Sequence, residues 1–204
     1  MASLSFSVNW DYRCPFARIV HEHVITALEG GTDWEVEFVP FCLNQVHLEE
    51  GEPAVWDNPD RAPDRLALEV GLAVRDRLPE RFLAVHRALF DARHELGGDL
   101  RDEGVVREAL RTAGLEEAEI ETVFGFVEDG WPRETLRAEH EKSVAEHAAF
   151  GVPTFMVDGQ AAFVRIMERA NGDPTRATET IERVVRLLTE HPELNELKHT
   201  TIRR

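Results

Sequence analysis

Apolar and polar residues alternate over residues 4–9 (Leu-Ser-Phe-Ser-Val-Asn) and again over 34–39 (Trp-Glu-Val-Glu-Phe-Val). A period of two predicts two strands. Between them Phe16, Ile19, Val20, His23, Val24 and Ala27 share one helical face. That helix is predicted to open at Pro15, where a missing N–H costs nothing, and to end at Gly30-Gly31. Residues 44–64 carry Gly51, Pro53, Asn58, Pro59 and Pro63 and predict a long irregular loop.

Five helical stripes fill residues 64–149. They begin with Leu66–Val70–Val74, Phe82–His86–Leu89, Val106–Ala109–Leu110, Ile120–Val123–Phe124 and Leu136–His140–Val144. Strand character returns at Thr154-Phe155-Met156-Val157. Asp158-Gly159 is a hairpin signal, and Ala161-Ala162-Phe163-Val164 reads as the return strand. A last helix starts at Asp173-Pro174 and stops at His191-Pro192.

The order β, α, β, helical block, β-hairpin, α predicts an α/β domain with an all-helical insertion. Residues 1–63 and 150–192 form the discontinuous domain, 64–149 the insertion and 193–204 a polar tail.

Composition narrows the function. The 204 residues include 39 acidic and 23 basic side chains, a formal charge of −16. Such a surface repels phosphate, so neither nucleic acid nor an anionic membrane is an expected partner. No apolar run reaches the 18 residues of a spanning helix, and the N-terminus lacks a signal-peptide pattern. Cys14 and Cys42 are the only cysteines. Two are too few for a disulfide scaffold, so the expected compartment is a reducing cytoplasm.

Cys14 stands between a strand end and a helix start. Unsatisfied N–H groups and the positive helix end stabilise an anion there, so its thiol is expected to have a lowered pKa. Arg13 stands beside it. Pro153, in Gly151-Val152-Pro153-Thr154, opens a strand. A cis bond at Pro153 would turn the Val152 backbone outward to pair with an extended thiol peptide.

His21 and His23 lie two apart and so face differently, with His23 on the apolar face. His140 and His147 lie two turns apart. Helix-face histidines are the simpler reading of both pairs, and no metal site is expected. Trp10, Tyr12, Phe16 and Trp56 are candidate walls of a groove around Cys14; core packing is the equal alternative.

Cys-Pro at a helix start, a helical insertion, then Gly-Val-Pro-Thr before a hairpin resembles the thioredoxin superfamily. The insertion is similar to that of the DsbA-like branch, which includes FrnE-type oxidoreductases, kappa-class glutathione transferases and 2-hydroxychromene-2-carboxylate isomerases. Ala88-Leu89-Phe90-Asp91, Gly97-Gly98-Asp99-Leu100 and Ala113-Gly114-Leu115 share in the likeness.

The resemblance implies that Cys14 is the attacking cysteine, that Pro153 is the cis-proline facing it, and that Val152 offers its backbone to substrate. Trp10, Tyr12, Arg13, Pro15, Phe16, Val152 and Thr154 are then the substrate-binding candidates.

One departure matters. Dithiol members carry a second cysteine three positions on, where this chain has Ala17. Monothiol oxidoreductase chemistry on a small-molecule thiol or disulfide is therefore expected. The mixed disulfide would be released by another thiol or by Cys42 if the two come within bonding range; for Cys42 the simpler reading is a small buried residue.

The alternatives are a small-thiol-dependent transferase or isomerase, and a non-catalytic binding module that keeps the groove. No tightly bound cofactor is expected. Glutathione is the usual co-substrate of such proteins. Mycothiol takes its place if the arginine-rich, lysine-poor composition marks a GC-rich actinobacterial genome. Members of the branch often form homodimers.

Overall fold

The computed structural model describes residues 4–201. The tail's last residues, 202–204, lie outside it. In chain order the elements are β1 (Leu4–Trp10), α1 (Pro15–Glu29), β2 (Trp34–Pro40), α2 (Leu43–Val46), α3 (Ala62–Arg77), α4 (Pro79–His94), α5 (Glu103–Thr112), α6 (Glu117–Glu128), α7 (Trp131–His147), β3 (Thr154–Val157), β4 (Gln160–Phe163) and α8 (Pro174–Glu190). Among the described residues no helix is long and apolar enough to cross a membrane.

The strands form one sheet in the order β2-β1-β3-β4. β1 and β2 are parallel, with Leu4 opposite Trp34 and Trp10 opposite Pro40. β3 runs antiparallel to both β1 and β4. The hairpin therefore extends the sheet started 150 residues earlier, and α3 to α7 fill the chain between its halves.

The five expected stripes are five helices. The return strand begins one residue earlier than the apolar run suggests. Asp158 and Gly159 both adopt positive φ, 48° and 76°. They make a two-residue turn that pairs Val157 directly with Gln160.

One apolar core runs through sheet and insertion. Phe6, Val8 and Phe155 from the sheet, Val20 and Val24 from α1, and Leu72, Leu89, Leu110, Ile120 and Leu136 from the insertion belong to it. α1 packs on α8, on β1 and on α4. Its second buried face corrects the reading of His21, which is fully buried like His23.

The expected loop at 44–64 is partly ordered. Leu43–Val46 makes one helical turn and Pro59–Arg61 a 3-10 turn. The first turn forms because Asp11 Oδ2 accepts from Leu43 N at 2.9 Å. That acceptor lies 32 residues away and leaves no local trace.

Candidate active site

Cys14 is the N-cap of α1, with extended backbone and Pro15 as the first helical residue. Its Sγ accepts from Ala17 N at 3.5 Å and donates to the Val152 carbonyl at 3.3 Å. The Val152–Pro153 peptide is cis. The thiol thus sits between a helix start and the loop that opens β3, 138 residues apart in sequence.

Asn9 fixes that loop. At the end of β1 its side chain donates to Gly151 O (3.1 Å) and accepts from Thr154 N (2.6 Å). These bonds flank Val152-Pro153 on both sides. Thr154 Oγ1 closes the turn by donating to Gly151 O at 2.9 Å. Asn9 is fully buried and satisfied by backbone alone. The sequence marks it only as a polar residue closing an alternating strand.

Asp11 ties the Cys14 loop to α2. One carboxylate oxygen accepts from Arg13 N at 2.9 Å and the other from Leu43 N at 2.9 Å. The carboxyl is almost completely buried, and burial raises its pKa against those two bonds and the Arg13 charge. The Arg13 guanidinium itself turns away to Asn44 Oδ1 on α2.

The thiol does not have the electrostatics its position predicts. Burial pushes the Cys14 pKa up, and the nearby Asp11 charge pushes it the same way. The N–H groups of Ala17 and Phe16 oppose this and do not prevail. The helix start contributes as expected, but a thiol only 9% exposed loses more by desolvation. Resting Cys14 is a protonated donor to Val152 O.

Cys42 is fully buried. Burial, with Asp11 second, holds its thiol up at about 12. A resolving cysteine needs a thiolate, and Cys42 has essentially none at neutral pH.

The aromatic candidates separate. Trp10 and Tyr12 are core residues, about 0% and 1% exposed, and present no wall to a groove. Trp10 packs on Tyr12, Phe82 and His86, and Tyr12 on Phe90. Phe16 is half-buried beside Cys14, with the Arg165 guanidinium 5.2 Å from its ring centre, and Pro15 is exposed. Trp56 packs against His140 of α7, and the two line a groove with Gln45 of α2.

Tyr12 joins a hydrogen-bonded chain that the sequence does not show. His21 Nε2 lies 3.0 Å from Asn9 O, which can only accept, so Nε2 carries the proton. His21 Nδ1 then accepts from His86 Nε2 at 2.9 Å, and His86 Nδ1 from the Tyr12 hydroxyl at 2.8 Å. The direction is forced along the whole chain, and both imidazoles are neutral. Burial lowers His21 to about 4 and His86 well below its ordinary value.

A family model described as DSBA-like thioredoxin domain matches residues 7–170. The chain belongs to that family. Its fold is thioredoxin-like, with the helical insertion between the two halves.

Solved structures agree. MdbA, a thiol-disulfide oxidoreductase from Actinomyces oris, is 15% identical over 89% of this chain and 80% of its own, with a TM-score of 0.64. The cytosolic disulfide reductase DsbM from Pseudomonas aeruginosa, solved with GSH, is 20% identical over 90% of this chain and 100% of its own, with a TM-score of 0.57. DsbA from the same organism is 14% identical over 94% and 87%, also with a TM-score of 0.57. At these identities the likeness is one of fold. No functionally curated protein matches the sequence. In this DSBA-like domain, Cys14 and Pro153 occupy the junction where strand end, helix start and hairpin meet.

Proposed function

We propose that the chain is a monothiol thiol–disulfide oxidoreductase with Cys14 as its nucleophile. The observation that carries the reading is the convergence on one sulfur of the α1 N-terminus and the Val152 carbonyl.

The Cys14 thiolate attacks a small disulfide RS–SR′. A Cys14–S–SR bond forms, the S–S bond of the substrate breaks, and R′S⁻ leaves. A second small thiolate, R″S⁻, then attacks the adduct, forms RS–SR″ and returns Cys14 as thiolate. Cys42, buried and protonated, takes no part. Glutathione or mycothiol would serve as the small thiol, and a reducing cytoplasm is the matching compartment.

Turnover of a glutathione mixed disulfide, followed by release of the reporter thiol, tests this. Cys14→Ser should abolish the reaction. Full turnover in that variant would remove Cys14 from the mechanism.

One observation favours a second reading. A protonated Cys14 is a hydrogen-bond donor, which is what a small-thiol-dependent transferase or isomerase needs to hold a bound thiolate. Catalysis that requires the small thiol yet leaves its redox state unchanged would select that reading over the first.

A further inference from the structure

His86 lies in the middle of α4 and is fully buried. The rings of Trp10, Tyr12, Phe38, Phe82 and Phe90 surround its imidazole, with centres 4.8 to 5.5 Å away. A phenylalanine would satisfy that packing. An imidazole brings two nitrogens that need partners in so dry a place. Both have them, and the two bonds lead to opposite sides of the thiol.

The first branch leaves from Nδ1, which accepts from the Tyr12 hydroxyl at 2.8 Å. His94, about two turns further along α4, takes the other end of the same residue. Its Nε2 donates to the Tyr12 carbonyl at 2.9 Å. Tyr12 is thereby fixed at side chain and backbone alike. It stands inside the turn that Cys14 N closes by donating to Asp11 O at 3.1 Å, so its placement sets where Cys14 stands.

The second branch leaves from Nε2, which donates to His21 Nδ1 at 2.9 Å. His21 Nε2 donates in turn to Asn9 O at 3.0 Å. The Asn9 side chain bonds Gly151 O and Thr154 N on either side of Val152-Pro153. This branch ends on the loop whose Val152 carbonyl receives the Cys14 S–H.

We infer that His86 is a positioning residue for the thiol chemistry. Through Tyr12 it places Cys14, and through His21 and Asn9 it places the Val152 loop. One imidazole in the insertion thus sets the spacing of the two groups that meet at Sγ. A fully bonded buried network holds one arrangement and resists others. The inference rests on Cys14 as the reacting thiol and makes the insertion part of the reacting site.

The test is iodoacetamide labelling, followed separately at Cys14 and Cys42, together with turnover of a glutathione mixed disulfide. His86→Phe keeps the ring packing and removes both branches. His86→Asn keeps an acceptor for the Tyr12 hydroxyl, and His86→Gln keeps a donor for His21. In His86→Phe the midpoint of Cys14 alkylation against pH should fall towards the free-thiol value of about 8.5. Its kcat/KM should nevertheless fall about tenfold or more. A more reactive thiol that turns over more slowly is what lost placement produces. The asparagine and glutamine variants should each recover part of the loss, and they carry the test if His86→Phe does not fold. Cys42 should stay unlabelled throughout.

A midpoint and a kcat/KM equal to the parent's in the folded variants overturn the inference. Labelling of Cys42 in step with Cys14 also overturns it, because that reports general loosening of the fold. Turnover that survives Cys14→Ser removes the catalytic reading alone, and the alkylation midpoints still decide the role of His86.

Discussion

The Tyr12 hydroxyl donates to His86 Nδ1 across 2.8 Å of fully buried interior. This bond joins the residue two before Cys14 to the middle of α4, so the insertion and the thiol loop are held in one register. A Cβ at Gly71 on α3 would collide with the same hydroxyl, so α3 must keep a glycine where the ring tip lands.

Tyr12→Phe would leave His86 Nδ1 buried without a donor. The expected loss is about 1–3 kcal/mol, read from the midpoint of denaturant unfolding. An unchanged midpoint would mean that the chain of bonds contributes nothing to stability.

The buried imidazoles make the fold sensitive to acid. His21 and His140 each fall from an ordinary 6.5 to about 4, both through burial. Between those values the unfolded chain binds more protons than the folded one. Stability therefore rises with pH across the window and is lost as pH falls from about 6.5 to 4. Each histidine accounts for roughly 3 kcal/mol of that loss. Unfolding curves taken at steps from pH 7 to 4 should show it, and a flat profile would mean that neither ring is neutral by burial.

The overall plan was legible because each piece announces itself locally. Alternation marks β1 and β2, 3.6-residue stripes mark the insertion, and Asp158-Gly159 marks the hairpin. What was hidden depends on distant partners. His21 is absent from the apolar stripe of α1, yet α4 covers that second face. The turn at Leu43 is capped from Asp11. The helix start at Cys14 is visible in the sequence, whereas the burial and the Asp11 charge that raise its thiol pKa are not. The contact of Cys14 with the Val152–Pro153 loop is readable only through the family resemblance, since 138 residues separate Cys14 from Val152.

Asp11 sets part of the reactivity of Cys14. Asp11→Asn keeps one acceptor for the backbone and removes the negative charge, so the thiol pKa should fall. Alkylation of Cys14 at pH 7 should speed up severalfold, and the midpoint of its rate against pH should drop. In the parent that midpoint should lie above the free-thiol value of about 8.5. A parent midpoint below it would show that the helix start outweighs burial after all.

Asn9 should matter more to activity than its distance from solvent suggests. Asn9→Ala leaves Gly151 O and Thr154 N without their side-chain partner, at about 1–3 kcal/mol for each group left unsatisfied. It also frees the Val152 carbonyl from its place against Sγ. Thiol–disulfide turnover should fall further than thermal stability alone explains, measured well below the melting temperature. Equal turnover in the two proteins would mean that the loop holds its position without Asn9.

Intact-mass spectrometry after incubation with glutathione disulfide reads out Cys14 as the nucleophile. A single glutathione adduct should form at Cys14, faster as pH rises, and be removed by reduced glutathione, with Cys42 unmodified. A Cys14 that stays unmodified at every pH where the fold is intact, or an adduct carried by Cys42, would contradict it.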